Sequence, residues 1–193
     1  KGERLLIEGQ FGGGIYFIRT GIAKIEVNGK NGRPLILRLA GPGSILGHRI
    51  RGNSDEQPLT VVAVEDLYVC HVSIFLYDQL VKKSPELHNG MMNALLSEMR
   101  QVELHAVRLT HLSVKERVAG ALLHVADLYQ YQPASNGIRV HLERQDLADL
   151  SGTTREQVSR MLAELQLAGF IKFRGKHFKF LDLDALQHIA TLH

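Results

Sequence analysis

The stretch S151-GTTREQVSRM-L162, running from Ser151 to Leu162, decides how the chain is read. A Ser-Gly turn is followed by a segment that segregates its side chains. Arg155, Glu156, Ser159 and Arg160 fall on one side at about 100° per residue. Val158, Met161, Leu162, Leu165 and Ala168 fall on the other, with Ala163 on the polar side. Thr153 followed by Glu156 has the spacing of a capping box and predicts a helix over 154–168, closed by Gly169 as the residue after the cap. The preceding segment supplies Leu147 and Leu150 to pack against the apolar side, so two short helices meet at a tight turn containing Gly152.

That pattern has two readings. One is a solvated helix face. The other is a helix that enters the major groove of DNA. Arginine in the first turn can bind guanine O6 and N7 together, and a carboxylate can accept from cytosine N4. Arg155 and Glu156 stand where such contacts are made, and Arg160 is one turn further on. Thr154, Gln145 and the helix N-terminus can donate to phosphates. The hairpin after the helix carries "RGKH" at its tip, with Lys176 placed to meet the DNA backbone. Helix, turn, helix and basic hairpin in that order favour the second reading.

Charge is concentrated in the same region. The 193-residue chain has a net charge of +3. Between residues 136 and 180 there are eight Lys/Arg against five Asp/Glu, a surplus equal to that of the whole chain. The positive field therefore belongs to the C-terminal third, where phosphates would be attracted.

Upstream, "RLLIEG", "GIYFIRTG", "IAKIEVNG", "LILRLAG" and "LTVVAVEDLYVCHVS" are short apolar runs punctuated by glycine. They predict a small antiparallel barrel or sandwich over residues 1–84, with a hairpin turn around Asn28, Gly29, Lys30, Asn31 and Gly32. The texture changes at Ser84 and Pro85. Over 85–112, Met92, Leu95, Met99, Val102, Ala106 and Leu109 recur at steps of three and four, a seam with two positions per heptad. A dimer helix and a helix packed on its own barrel both produce this pattern; the dimer helix is the expectation. Residues 113–193 form the third zone. It opens with a helix from "SVKERVAGALLHVADLYQ", in which Ser113 and Glu116 make a capping box, and continues through the loop "YQPASNG". The expected class is α+β, an antiparallel jelly-roll barrel followed by a long helix and a winged helix-turn-helix.

Hydrophobic residues make up 45% of the chain, enough for ordered cores. No apolar run approaches the ~20 residues of a membrane span, no secretory leader is read ahead of the first strand, and the single cysteine, Cys70, cannot form a disulfide within one chain. A soluble cytoplasmic protein with no membrane partner is the expectation. Phosphate-loop, Gly-x-Ser-x-Gly and His-Glu-x-x-His motifs are absent, so the chain is not read as an enzyme. "GQFGGG" lacks the Lys-Ser/Thr of a phosphate loop. A ligand-binding module acting on a protein partner is an alternative that the basic hairpin region argues against.

The segments "LADLSGTTREQVSRMLAELQLAGFI" and "FRGKHFKF", with "KGERLLIEGQ", "IYFIRTGIAKI" and "AGPGSILG" in the same order, resemble the Crp/Fnr family of bacterial transcription regulators over essentially the whole chain. The resemblance implies a cyclic-nucleotide-binding-type barrel, a dimer helix, and a homodimer on a two-fold symmetric operator. It implies base-reading roles for Arg155, Glu156 and Arg160, and for Ser159 as in the Fnr branch. A TGTGA-like or a TTGAT-like half-site follows, and both stay open. The loop "YQPASNG" matches a region that touches RNA polymerase in the family, with different residues.

The implied effector pocket comprises Gly47, His48, Gln57, Thr60, Val102 and Glu103. Cyclic-AMP-binding members carry Gly-Glu and Arg-Ser there, and a Thr-Ser pair on the dimer helix. This chain has Gly47-His48, Gln57-Pro58 and Val102-Glu103. Without the arginine a buried cyclic phosphate lacks its charge partner, which disfavours cyclic AMP. One cysteine disfavours an iron–sulfur cluster. Haem, as in the gas-sensing (NO/CO) members, is a third candidate, with His48 in the pocket and His71, His88 and His105 near the barrel or dimer helix. A different small-molecule effector, or none, is the remaining expectation.

Overall fold

The computed structural model describes residues 1–11, 13–29, 32, 34–51 and 56–190. The chain divides into two compact units, residues 1–104 and 105–193.

The first unit contains two antiparallel sheets. Its strands are β1 (Arg4–Leu6), β2 (Ile15–Thr20), β3 (Ala23–Asn28), β4 (Pro34–Ala40), β5 (Ile45–Leu46), β6 (Thr60–Ala63) and β7 (Tyr68–Val72). One sheet runs β1-β6-β3-β4 and the other β5-β2-β7. Leu6, Ile25 and Val61 from the first sheet pack with Ile18 and Leu46 from the second, so the core lies between them. This is the expected jelly-roll class. Of the turn expected around Asn28–Gly32, Lys30 and Asn31 lie outside the described residues, and Gly32 donates its N–H to Gly29 O at 3.0 Å.

The first unit also holds a helix absent from the sequence expectation, α1 (Ile74–Lys83). Ser73 caps it, accepting from Leu76 N, and Tyr77 is its buried anchor. Ser84 then accepts from Leu87 N at 3.2 Å and Pro85 takes the first helical position, which starts α2 (Pro85–His111). Residues 85–104 of α2 belong to the first unit and 105–111 to the second.

In the second unit α3 (Val114–Leu128) starts with the expected capping box. Glu116 Oε2 accepts from Ser113 N at 2.6 Å while Ser113 Oγ accepts from Glu116 N. The strand β8 (Ile138–Arg139) follows, then α4 (Arg144–Leu150), α5 (Arg155–Leu167), β9 (Ile171–Arg174), β10 (His177–Phe180) and α6 (Leu183–Ala190). The expected hairpin is thus the larger part of a three-stranded sheet, β8-β10-β9. Neither β8 nor α6 was expected. Val118, Leu122, Leu147, Val158, Leu162, Leu165, Phe178 and Leu186 are buried in this unit. No helix among the described residues is long and apolar enough to cross a membrane.

Candidate functional site

The start of α5 differs by one residue from the expectation. Thr154, not Thr153, is the N-cap and accepts from Gln157 N at 3.3 Å. Thr153 is held in the turn, its N–H donating to Ala148 O and its hydroxyl bonded to the Gln157 side chain. The far end is a Schellman closure: Phe170 N donates to Leu165 O and Gly169 N to Gln166 O, each at 3.0 Å. Val158, Met161, Leu162 and Leu165 are buried as expected. Ala168 is exposed, because at the C-cap the chain has already turned away from the core.

Arg155, Glu156, Ser159 and Arg160 are all exposed on the opposite face, with Ala163. Ser159 Oγ donates back to Arg155 O at 2.9 Å, so its hydroxyl lies against the helix while keeping its acceptor outward. Arg160 Nε is 4.0 Å from Glu164 Oε1, at the limit of an ion pair. Gln145, exposed on α4, donates to Asp149 Oδ1 at 2.7 Å, which leaves it one further amide hydrogen.

Two arginines hold this surface in place. Arg117 on α3 donates to four carbonyls, Ser151 O (2.8 Å), Leu112 O (2.7 Å), Leu109 O (3.4 Å) and Gly152 O (3.4 Å). It thereby ties the end of α2 to the turn between α4 and α5. Gly152 has φ +57°, in the left-handed region that favours glycine, and a Cβ there would lie 2.5 Å from Leu109 Cδ2, so the leucine side chain would have to shift. Arg144 stacks on Phe173 and Phe178 at 4.9 and 5.2 Å and donates to Gly175 O, fixing the hairpin against α4. At the hairpin tip Lys176 Nζ is 3.4 Å from Glu143 Oε1, both side chains being well exposed.

The first unit has a buried polar centre. A cavity of about 20 Å³ is lined by Arg38, Gly47, His48, Arg49, Gln57, Pro58 and Glu98, with Leu6, Ile25, Leu46 and Val61 behind them. Glu98, on α2, is the hub. Its Oε2 is 3.0 Å from Arg38 Nη2 and 3.3 Å from His48 Nε2, and its Oε1 is 3.5 Å from Arg49 Nη2. Burial pushes the Glu98 carboxyl up, but His48, Arg38 and Arg49 outweigh it and hold the group below the usual carboxylate range. Burial likewise draws Arg38 down while Glu98 draws it back up.

Of the expected pocket residues, Gly47, His48 and Gln57 line this cavity. Thr60, Val102 and Glu103 do not. Thr60 is buried and accepts from Glu8 N instead. Val102 is half-buried and Glu103 is exposed, because Glu98, one turn earlier on α2, is the residue that enters. Both Arg38 and Glu98 escaped the sequence reading. The one available signal was an arginine inside the apolar run "LILRLAG". A cavity of this size holds about one water molecule, not a nucleotide or a porphyrin, and the His48 imidazole faces Glu98. Of the other histidines considered for haem, His71 lies beside Tyr16 and Gly13 O, and neither it, His88 nor His105 lines the cavity.

Residues 1–84 match the model of the cyclic nucleotide-binding domain and residues 116–189 that of the Crp-like helix-turn-helix domain. The chain belongs to the Crp/Fnr family of transcription regulators. Among its relatives, the anaerobic regulatory protein of Haemophilus influenzae is 26% identical over 96% of this chain and 72% of that protein. The fumarate and nitrate reduction regulatory protein of Escherichia coli is 26% identical over 98% and 76%. The cyclic AMP receptor protein of Thermus thermophilus is 27% identical over 98% and 85%. The chain spans 64% of the length of the anaerobic regulatory protein of Pasteurella multocida. The structure of FixK2 from Bradyrhizobium japonicum has the same fold, with a TM-score of 0.88 at 23% identity over all of this chain and 95% of that one.

In this Crp/Fnr chain the six residues expected to line a dimer seam straddle two faces of α2. Met92, Met99 and Ala106 are exposed, whereas Leu95, Val102 and Leu109 are half-buried. Leu95 lines a cleft with the Pro42–Ser44 turn, and Leu109 faces Gly152. The exposed three hold one heptad position and the half-buried three the other, about 60° away around the helix, so the seam lies along the border of the packed face. The exposed apolar stripe runs instead through Met92, Leu96, Met99 and Val107.

Proposed function

We propose that the chain acts as a homodimer that reads a two-fold symmetric DNA operator with α5, and that an effector in the N-terminal unit sets its affinity. The observation that carries this reading is the exposed face of α5. Arg155, Glu156, Ser159 and Arg160 project from a helix whose apolar side is fully buried and whose first turn opens to solvent. Arg155 and Arg160 supply guanine-reading forks, Glu156 an acceptor for cytosine and Ser159 a short polar contact. Thr154, Gln145 and Lys176 meet phosphates. The apolar stripe on α2, with Met92 and Met99 at its centre, joins two copies, and Leu95, Val102, Ala106 and Leu109 flank it. Each copy then reads one half-site. RNA polymerase and the operator place this work in the cytoplasm.

The effector is not cyclic AMP. Gln57-Pro58 stands where a cyclic phosphate would need its own arginine, and the cavity beside it is too small for a nucleotide.

Operator binding at several salt concentrations tests the reading. Selection from random DNA should return a palindrome bound by two chains, with affinity falling steeply as salt rises. Arg155→Ala should cost ~1–3 kcal/mol on that operator and relax one base position per half-site. Lys176→Ala should weaken all sequences alike. Specific binding left intact by Arg155→Ala would overturn the assignment of the reading face.

A further inference from the structure

Two arginines and a histidine of the N-terminal unit converge on a single carboxylate. Arg38 from β4, and His48 and Arg49 from the segment after β5, all meet Glu98 of α2. Counted over the described residues, Arg38 and Arg49 bring two positive charges against the one negative charge of Glu98. The Arg38 and Glu98 side chains are only 10% and 12% exposed, so water screens this excess poorly.

Donors outnumber acceptors in the same place. Gln57 is 4% exposed and lines the cavity, and its Nε2 has no hydrogen-bond partner among the described residues. Backbone bonds fix Gln57 where it is, its N–H donating to Gln10 O at 2.8 Å and its carbonyl accepting from Gly9 N at 2.9 Å. A buried donor without an acceptor is destabilising, and an anionic acceptor answers both the charge and the donor.

Space is available once Glu98 moves. On the far side of its carboxylate an open cleft of about 270 Å³ is lined by Arg38, Ser44, His48, Ser97 and Gln101. Glu98 borders both this cleft and the inner cavity. Arg38, Ile45 and His48 border both as well, so the cations of the cluster face the two spaces together.

We propose that Arg38, His48, Arg49 and Gln57 form a binding site for a small carboxylate, which displaces the Glu98 carboxylate and takes over its ion pairs. Glu98 itself shows that a carboxylate suits these cations. Because it belongs to α2, its displacement unfastens that helix from β4. The proposal rests on reading the N-terminal unit as the effector-binding part and names the class of effector.

Isothermal titration of the full chain with sodium acetate, against sodium chloride at equal ionic strength, tests it. Acetate should bind saturably, one per chain. Glu98→Gln removes the internal competitor while keeping an oxygen for Arg38, and should tighten acetate binding about tenfold or more. Arg49→Gln, on the exposed rim where folding is not at stake, should weaken it several-fold and decides the matter alone if the Glu98 variant fails to fold. Heats equal to those of chloride in the wild type and the variants overturn the proposal, and operator binding measured without acetate stands apart from that failure. Saturable binding that leaves operator affinity unchanged upholds the site and breaks only the link to regulation.

Discussion

The two units carry their charges in opposite ways. On α5 the polar side chains stand in water, and beneath them lies a core of Val158, Leu162 and Leu165 with no ionisable group. In the N-terminal unit an arginine and a glutamate are nearly buried beside the apolar core between the two sheets. Exposure leaves a charge available to a partner as large as DNA. Burial makes a charge respond to small changes beside it, because little water is present to dilute them. One unit is built to be touched and the other to be tipped.

The largest effect should come from the core under the exposed face. Leu162 is fully buried. Leu162→Ala should cost ~2–5 kcal/mol of stability, depending on how far α3, α4 and α5 close over the gap. Urea unfolding followed by circular dichroism would show it. A loss under about 1 kcal/mol would mean that α5 does not need its apolar side to be packed, and the contrast between the units would fail.

Next in size is the buried pair. Glu98→Ala leaves Arg38 without its strongest partner. It should cost about 3 kcal/mol, at the lower end for a broken buried pair because the Arg49 side of the cluster reaches solvent. The pH dependence follows from the same contacts. Since the folded pKa of Glu98 is depressed, its contribution is complete above the unfolded value near 4.5 and is lost as pH falls through the lower folded value. An acid-unfolding curve unchanged by Glu98→Ala would show that the three side chains give the carboxylate no support.

His105 supplies a second acid response, at higher pH and in the C-terminal unit. Burial, with Arg108 and His124 adding to it, holds this imidazole below its ordinary 6.5. As pH falls, the unfolded chain takes up the proton first, so stability is complete above about 6.5 and declines until the pH passes below the folded value. Urea midpoints at pH 7.5, 6.5 and 5.5 should therefore fall more steeply for the wild type than for His105→Gln. Parallel slopes would remove His105 from the account.

What could be read from the sequence follows the same division. The face formed by Arg155, Glu156, Ser159 and Arg160 was legible because its members lie within six residues and its helix alternates with a regular period. The capping box at Ser113 was legible for the same reason. Arg38 and Glu98 were not, since sixty residues separate them and strand alternation alone would place an arginine facing water. The helices α1 and α6 are short, and the strand β8 has only two residues, too few to show a period. Thr153 and Thr154 both suit an N-cap, and the bond from Gln157 N to the Thr154 hydroxyl selects the second. The seam on α2 divides between exposed and half-buried positions because one helix serves two faces.

The smallest effect isolates the comparison most cleanly, because it removes the same residue type from the other setting. Glu164 pairs with Arg160 at 4.0 Å, and the two side chains are 45% and 66% exposed. An exposed pair four residues apart contributes ~0–0.5 kcal/mol, and salt screens it. Glu164→Ala should therefore change the urea midpoint barely at all, and less still in 0.5 M salt, on the order of the few tenths expected for such a site. It should instead strengthen operator binding slightly and without regard to sequence, since it removes a negative charge close to phosphates. A weak pair is what the reading of α5 requires: Arg160 must leave Glu164 to reach a base, and a firm bond would have to be broken each time DNA is bound. A stability loss above about 1 kcal/mol would show that Arg160 is fastened to its own helix. It would then be a structural residue, and Arg155 and Glu156 would be left to read the operator without it.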